Sequence, residues 1–335
     1  MSRVGAICFA LPAFEDCAVL GTALPQAEEY LLTEAADAQS YKVYMQATLD
    51  SNLMHEPVTV LLADVFAMLP LSSSNDTKVP AFVCPRNILR TALDALLAEA
   101  ALSVRVGFEL EFLLLDAKSR KPVDSQVYAS SIALCKRMDI LLAMSMKLEE
   151  NDIGVLQFHA ESAPGQFEIA LDHYPALEAA DKVTIAKEII VAEAARHGLI
   201  ASFMPKASEN AAGSGMHCHI SLATRPAEHF EVKAFDATAN PYVGLAGIIY
   251  AGLEGVLAEL QLPAPCQEEP SESKGDVRLP TSMTQAVDML NKDERLGTRL
   301  GSELVRTISQ LRLREEEFFE HLSIAEQRDH LLERY

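Results

Sequence analysis

Four short segments of this chain place Glu or His at alternate positions of an otherwise apolar run. This pattern is typical of a β-strand with one polar face, because successive strand side chains point to opposite sides of the sheet. If the four strands share one sheet, one surface collects at least four carboxylates and two imidazoles. The segments are residues 107–112, 157–161, 166–169 and 216–221.

The spacing within each segment decides which side chains lie together. A surface that gathers so many carboxylates repels itself unless cations lie in it. The pattern therefore favours a metal site. The side chains that share a face are Glu109 with Glu111, His159 with Glu161, and His217 with His219 and Ser221.

An ordinary interpretation stands beside the metal site. A single Glu on the polar face of a strand is usually solvated, and a single His is more often hydrogen-bonded than a metal ligand. Four strands with the same pattern are harder to explain in this way. Ligand sets dominated by carboxylates suit Mg²⁺ or Mn²⁺, and such cations in an acidic cleft usually carry phosphates. Cys218 points away from its two His neighbours and is not expected to be a ligand.

Composition limits the classes of partner. The 335 residues are 49 % hydrophobic, which is enough for a large core in one big domain or two unequal ones. The net charge of −20 argues against nucleic acid or an anionic membrane surface as the main partner. No apolar run approaches the roughly 20 residues that span a bilayer. Six scattered cysteines without a CxxC pair favour a reduced, cytoplasmic setting.

The remaining pattern predicts an α+β protein. Residues 1–55 are weakly patterned, with one plausible helix over residues 27–36, and strand-like runs follow at 58–66 and 79–84. Asn87 is expected to cap the helix predicted over residues 88–101, and Gly198 to end the helix predicted over residues 177–197. Further strands are predicted at 104–115, 155–161, 166–171, 199–204 and 216–222, and helices at 88–101, 125–139, 177–197, 243–259, 281–290 and 295–335.

Five segments resemble, in order and in wording, the catalytic-domain signatures of the glutamine synthetase family. The likeness extends roughly from residue 57 to residue 335. It implies an α+β fold in which a curved antiparallel sheet presents Glu and His on one face and packs with helices. The matching segments are residues 107–112, 164–169, 203–206, 213–222 and 240–242.

The resemblance also implies a domain plan and an activity. Residues 1–56 would be a weakly patterned segment, 57–86 the remnant of a β-grasp domain, and 87–335 the catalytic domain with carboxy-terminal helices. The activity would be that of an ATP-dependent carboxylate–amine ligase. In this family ATP phosphorylates the side-chain carboxylate of glutamate, and ammonia or an amine then displaces the phosphate to give an amide.

Site residues follow from the resemblance residue by residue. Two divalent cations, Mg²⁺ or Mn²⁺, would neutralise the triphosphate and the acyl phosphate. The resemblance implies Glu111, Glu161 and Glu168 for the first cation, Glu109, His217 and Glu231 for the second, His219 and Ser221 for the nucleotide, Gly213 for the amino-acid substrate, and Lys233 as the catalytic cation.

The chain departs from the family pattern after Ser221. Only nine residues separate Ser221 from Glu231, where the family has a longer segment with an acidic flap and several substrate-binding arginines. Lys233 stands where an arginine is expected and gives charge without the bidentate fork. A short turn centred on Pro226 would make the flanking strands a hairpin and set Glu231 opposite Ser221.

Two hypotheses of different classes remain open. Retention of all six mapped ligands favours an active ligase, because buried like charges cost stability unless cations compensate them. The missing flap favours a pseudoenzyme that binds metal or nucleotide as a scaffold or regulator, because acyl phosphates hydrolyse where water is not excluded. A truncated or mis-spliced version of a complete enzyme is a third explanation. A homo-oligomer is compatible with the resemblance, but ring assembly is not favoured, since the family's Asp-bearing amino-terminal loop has no equivalent.

Overall fold

The computed structural model describes residues 84–335, except 126–127, 208–210, 223–228 and 263–278, and the backbone of five strands nearer the amino terminus. Strands β1, β4 and β5 form one antiparallel sheet, and β2 pairs with β3. The five strands are β1 (Glu29–Glu34), β2 (Ser40–Val43), β3 (Val58–Leu61), β4 (Ala63–Leu69) and β5 (Thr77–Pro80).

The helix predicted over residues 27–36 is wrong, because β1 occupies this region and pairs with β4. Pairing with a distant strand has overridden the local preference, as is common where propensities are weak. The strand-like runs at 58–66 and 79–84 correspond in part to β3, β4 and β5. The division of the chain at residues 56 and 86 stays a prediction.

A seven-stranded antiparallel sheet forms the centre of the larger region. Its main path runs β12-β11-β6-β8-β7, and β9 and β10 also pair with β6. The predicted α+β class and antiparallel sheet are therefore confirmed. The strands are β6 (Val104–Asp116), β7 (Val155–Ala160), β8 (Gln166–Leu171), β9 (Tyr174–Pro175), β10 (Leu199–Ser202), β11 (Met216–Leu222) and β12 (His229–Val232).

Nine helices accompany this sheet in the part of the chain that the structure describes. None of them is long and apolar enough to cross a membrane. They are α1 (Pro85–Ala100), α2 (Ser131–Lys136), α3 (Met138–Glu149), α4 (Ala176–Arg196), α5 (Pro241–Leu257), α6 (Met283–Lys292), α7 (Glu294–Leu300), α8 (Ser302–Glu320) and α9 (Ile324–Arg334).

Helix ends differ from the predictions where local chemistry competes. The Asn87 cap is wrong, because α1 already begins at Pro85, whose fixed φ suits the first helical position and whose missing N–H costs nothing there. The end of α4 is as predicted, and Gly198 follows it with a φ of +71°. The single helix expected over 295–335 is three helices. Gly301, with a φ of +89°, separates the first two, and a capping box at Ser323 starts the last.

The core lies on one side of the central sheet. Phe108, Leu110 and Phe112 of β6 alternate with the predicted site residues and are at most 2 % exposed. They belong to one apolar cluster with residues of α4 such as Val183 and Ile190. Burial of each such side chain contributes about 1.5–3 kcal/mol. This packing holds β6 in the middle of the sheet and turns the alternate side chains of β6 to the opposite face.

Candidate metal centre

Strand register brings the predicted ligands together on one face of the central sheet. Glu109 and Glu111 of β6 share this face, and their partners across the ladder come from β11 and β8. The face carrying Glu109, Glu111, Glu168 and His217 is called the acidic face below. The register pairs are Glu109 with His217, Glu111 with Glu168, Glu168 with His159, and His219 with Glu231.

His217 lies at the centre of the residues predicted for the second cation. Its Nδ1 is 3.2 Å from Glu109 Oε2 and 3.3 Å from Glu231 Oε1. His219 contacts the same two carboxylates, with Nε2 3.0 Å from Glu109 Oε1 and 3.8 Å from Glu231 Oε1. Two imidazoles therefore share two carboxylates at separations that a common cation could span.

Two of the three residues predicted for the first cation meet at a third imidazole. His159 Nε2 lies 3.2 Å from Glu168 Oε1, and His159 Nδ1 lies 3.6 Å from Glu161 Oε1. Glu161 is held at the end of β7 by the Ser162 N–H, which donates to Glu161 Oε2 at 2.9 Å. Glu111 lies on the other side of Glu168, with Oε1 3.5 Å from His217 Nε2.

In the described part of the chain, the surroundings of Glu168 and Glu111 disfavour the ionised forms of these two carboxylates. Burial, together with the neighbouring carboxylates Glu109, Glu111 and Glu161, raises the pKa of Glu168 to about 7, although His159 opposes the rise. Burial also raises the pKa of Glu111, against the opposing effect of a hydrogen bond from the Gly215 N–H. Burial and the neighbouring negative charges disfavour the ionised forms of Glu168 and Glu111, and a bound cation would stabilise those forms.

The donor set fits hard divalent cations. Three groups have one ligand atom from each residue within 4.8 Å of the others, and all of these atoms are carboxylate oxygens or imidazole nitrogens. Five of the six predicted ligands occur in these groups, and Glu111 is the one that does not. His159 and His219, which were not assigned as ligands, occur in them as well. The groups are Glu109, Glu168 and His217; Glu109, His219 and Glu231; and His159, Glu161 and Glu168.

The predicted hairpin exists, but its predicted register is wrong. β11 and β12 are antiparallel neighbours, and Glu231 lies opposite His219, whereas His229 lies opposite Ser221. The turn, residues 223–228, is outside the described residues. The error is a shift of two residues, which preserves the face of every side chain because the strand period is two. Glu231 therefore still lies on the acidic face.

A fourth histidine, His229, contacts both residues predicted to face the nucleotide. His229 Nε2 lies 3.2 Å from His219 Nδ1, and the two rings stack with centroids 5.3 Å apart. His229 Nδ1 lies 3.1 Å from Ser221 Oγ. Sequence reasoning missed His229, although its alternate spacing with Glu231 and Lys233 was a usable signal.

Lys233 contacts the site through Glu231. Its Nζ donates to Glu231 Oε1 at 2.7 Å, and its side chain is 70 % exposed. Burial alone would raise the pKa of Glu231, but the Lys233 hydrogen bond and the charges of Lys233, His219 and His217 together lower it. The same hydrogen bond raises the pKa of Lys233, so the ammonium stays charged.

The loop before β11 approaches the acidic face through glycines. The Gly213 carbonyl accepts a hydrogen bond from Gln166 Nε2 at 2.8 Å, and a Cβ on Gly213 would lie 2.8 Å from the Pro205 carbonyl oxygen. At Gly215 a Cβ would lie 2.6 Å from His217 Nε2. A side chain at Gly213 would meet backbone, and one at Gly215 would displace the imidazole of His217.

Cys218 is on the opposite side, as predicted. It is fully buried, and burial raises the pKa of its thiol to about 12, so a thiolate ligand is not available there. The soft sulfur is kept apart from the oxygen-rich face. Cys218 therefore does not compete, as a thiolate, with the hard-cation donor set of the acidic face.

Known proteins resemble this chain over the region that carries the acidic face. Residues 82–228 and 223–329 match the family described as glutamine synthetase, catalytic domain. Type-1 glutamine synthetase 1 of Dictyostelium discoideum is 25 % identical, over 76 % of this chain and 69 % of the relative. Gamma-glutamylpolyamine synthetase GlnA3 of Streptomyces coelicolor (strain ATCC BAA-471 / A3(2) / M145) is 23 % identical, over 75 % and 73 %.

The fold of this chain also resembles that of solved structures. A solved structure described as "Apo GmaS without ligand" superposes with a TM-score of 0.76, at 22 % identity, and the match covers 95 % of this chain and 91 % of that one. The family match extends over most of the chain and includes β6 to β12, which carry the acidic face. The chain belongs to the glutamine synthetase family, through its catalytic domain.

Proposed function

We propose that this protein is an ATP-dependent carboxylate–amine ligase that converts glutamate and ammonia, or an amine, into a γ-glutamyl amide through an acyl phosphate. The observation that carries the proposal is the meeting of carboxylates and imidazoles from five strands, β6, β7, β8, β11 and β12, at the acidic face. A chain without a cation to bind has no physical reason to gather these groups, because their mutual repulsion and burial cost stability.

Each predicted residue has a task in this proposal. Bound divalent cations would neutralise the phosphates of ATP and of the acyl phosphate. The carboxylates and His217 hold the cations, His219 and Ser221 orient the nucleotide, and Gly213 lies along the amino-acid substrate. Lys233 supplies the positive charge that attracts a phosphoryl oxygen, as a point charge without the fork geometry of arginine. The cation ligands in this proposal are Glu111, Glu161 and Glu168 for one, and Glu109, His217 and Glu231 for the other.

The amine acceptor is part of the proposal. One relative is named for glutamine synthesis and another for γ-glutamylpolyamine synthesis, so both ammonia and larger amines are reasonable substrates. Purified protein is incubated with Mg²⁺, ATP and glutamate, with ammonia or a panel of amines. Phosphate release and amide product are followed together, and we expect both with at least one amine.

Control variants keep the test specific. The Glu109→Gln and Glu168→Gln double variant removes two charges with little change in volume and is expected to abolish the product. Glu317→Gln, on the exposed side of α8, should leave product formation unchanged. Absence of product with every amine, from a wild-type protein that binds Mg²⁺ and ATP, would contradict the ligase proposal.

A second candidate function is binding without turnover. It is supported by the short connection between β11 and β12. The family match falls into two parts, residues 82–228 and 223–329, which meet at this connection. We expect the segment that carries the flap and the substrate arginines in the family to be shortened here, because only nine residues separate Ser221 from Glu231. Tight Mg²⁺-ATP binding with no amide product would favour this candidate.

A further inference from the structure

Gln166 is the buried polar side chain at the point where three parts of the site meet. It is 2 % exposed and lies at the start of β8, two residues before Glu168. Its Oε1 accepts a hydrogen bond from the Ala163 N–H at 2.8 Å. Since the amide oxygen must face this donor, the orientation of the amide is fixed, and its NH₂ group points towards the acidic face.

The NH₂ group of Gln166 reaches two segments that are far away in sequence. It donates to Glu111 Oε2 at 2.9 Å in β6, and to the Gly213 carbonyl at 2.8 Å in the loop before β11. Ser214 Oγ, at 3.1 Å, is a third acceptor within reach. One amide thus connects a predicted cation ligand with the loop predicted to lie along the amino-acid substrate.

These contacts decide which oxygen of Glu111 is free. Oε2 accepts hydrogen bonds from Gln166 Nε2 and from the Gly215 N–H, the latter at 3.2 Å. Oε1 lies 3.5 Å from His217 Nε2, on the side of the acidic face. With Oε2 occupied by two donors, Oε1 is the oxygen that can be offered to a cation.

We infer that Gln166 is a positioning residue that makes Glu111 a one-oxygen metal ligand and fixes the Gly213 loop against it. This inference rests on the proposed function, because it assigns the Glu111 carboxylate to a cation. Partners that orient a metal ligand are typically worth 10- to 100-fold in metal affinity. Gln166 fixes the ligand without touching the cation.

The test measures Mn²⁺ binding to the full chain by electron paramagnetic resonance. Gln166→Met keeps the volume of the side chain and removes its hydrogen bonds. We expect affinity at one of two Mn²⁺ sites to fall about 10- to 100-fold, with the other site nearly unchanged. Gln310→Met, on the exposed side of α8, is the matched control and should change neither site.

A double-variant cycle separates positioning from a general loss of stability. In a Glu111→Gln background the Gln166→Met change should have little further effect on Mn²⁺ affinity, because the carboxylate it orients is gone. If Gln166 only supports the fold, its effect would be the same in both backgrounds, which would overturn the inference. Circular dichroism and the Tm of each metal-free variant check folding, and Gln166→Leu replaces Gln166→Met if the latter does not fold.

The outcomes distinguish this inference from the proposed function. Unchanged Mn²⁺ binding in a folded Gln166→Met protein would overturn the role of Gln166 and leave the ligase proposal intact. If Gln166→Met weakens Mn²⁺ binding as expected but the wild-type protein forms no amide product, the role of Gln166 stands and the ligase proposal is overturned. A wild-type protein that binds no Mn²⁺ would overturn both.

Discussion

The helical side of the central sheet and the acidic face both bury charge, but they balance it differently. On the helical side, Arg86 donates to both oxygens of Asp181 at 3.0 and 2.8 Å, and the Tyr242 hydroxyl donates to the same carboxylate at 2.7 Å. On the acidic face, Glu168 and Glu111 have raised pKa values because burial and like charges disfavour their ionised forms. The first site balances its charge within the chain, whereas the proposed cations would balance the charge of the second.

Removing one partner of the complete site should have the largest effect. Asp181→Ala leaves the Arg86 guanidinium buried without the carboxylate that accepts two of its hydrogen bonds. We expect the free energy of unfolding to fall by about 3–5 kcal/mol. Urea unfolding followed by circular dichroism measures it. Glu317→Ala breaks an exposed ion pair and should cost about 0–1 kcal/mol. If both variants lost the same small free energy of unfolding, the buried Arg86–Asp181 pair would contribute no more to stability than an exposed ion pair.

Removing a charge from the acidic face should stabilise the metal-free protein. The pKa of Glu168 is raised to about 7, from an ordinary value of 4.5. Between these pH values the folded protein binds more protons than the unfolded chain, so wild-type stability falls as pH rises, and the loss is complete above about pH 7. Glu168→Gln should therefore be more stable than the wild type at pH 8, by up to about 3 kcal/mol, and nearly equal to it at pH 5.

The measurement compares unfolding at pH 5 and pH 8 in the presence of a chelator. Glu317→Gln is the matched control, since the Glu317 side chain is 58 % exposed. A gain for Glu168→Gln that is the same at both pH values would contradict the assignment. It would mean that burial of the carboxylate costs nothing in its ionised form.

Adding the cation should remove the difference between the two regions. At a Mg²⁺ concentration of 100 times its Kd, the free energy of unfolding should rise by about 2.7 kcal/mol per site, because the cation binds the folded state alone. The Tm with and without Mg²⁺ measures the effect. The Glu109→Gln and Glu168→Gln double variant should gain far less. Equal gains in the variant and the wild type would place Mg²⁺ binding elsewhere.

Local pattern predicts strands and faces well in this chain. β11 spans the predicted residues 216–222, and β8 the predicted 166–171, because alternation is a property of a few consecutive residues. The same parity puts Glu231 on the correct face even though its register is wrong by two residues. Register depends on the turn and on the neighbouring strand, which local alternation does not contain.

The site residues that the sequence pattern did not predict depend on strand pairing and on contacts between segments that are distant in the sequence. Gln166 hydrogen-bonds Glu111, 55 residues away, and Gly213, 47 residues away, and the local pattern of its strand indicates neither contact. His229 had a local signal in its alternate spacing with Glu231 and Lys233, but its contact with Ser221 follows from the ladder that places the two residues opposite each other. Residue types and their spacing can indicate candidate ligands, whereas the groups that orient those candidates require the fold.

The smallest expected effect concerns Lys233, whose ammonium contacts the acidic face through Glu231. Lys233 Nζ lies 2.7 Å from Glu231 Oε1 and competes there with a cation. Lys233→Met should raise Mn²⁺ affinity by about 1.5- to 5-fold at low ionic strength, which corresponds to the 0.2–1 kcal/mol of an exposed ion pair. The gain should shrink as salt is added, because salt screens the pair in the wild type too.

Product formation should move in the opposite direction. If the Lys233 charge attracts a phosphoryl oxygen, Lys233→Met lowers the rate of amide formation while it strengthens Mn²⁺ binding. Lys118→Met, an exposed lysine in the turn after β6, should change neither quantity. A fall in both affinity and rate would show that Lys233 supports the structure of β12, because a competitor for Glu231 cannot weaken cation binding by its removal.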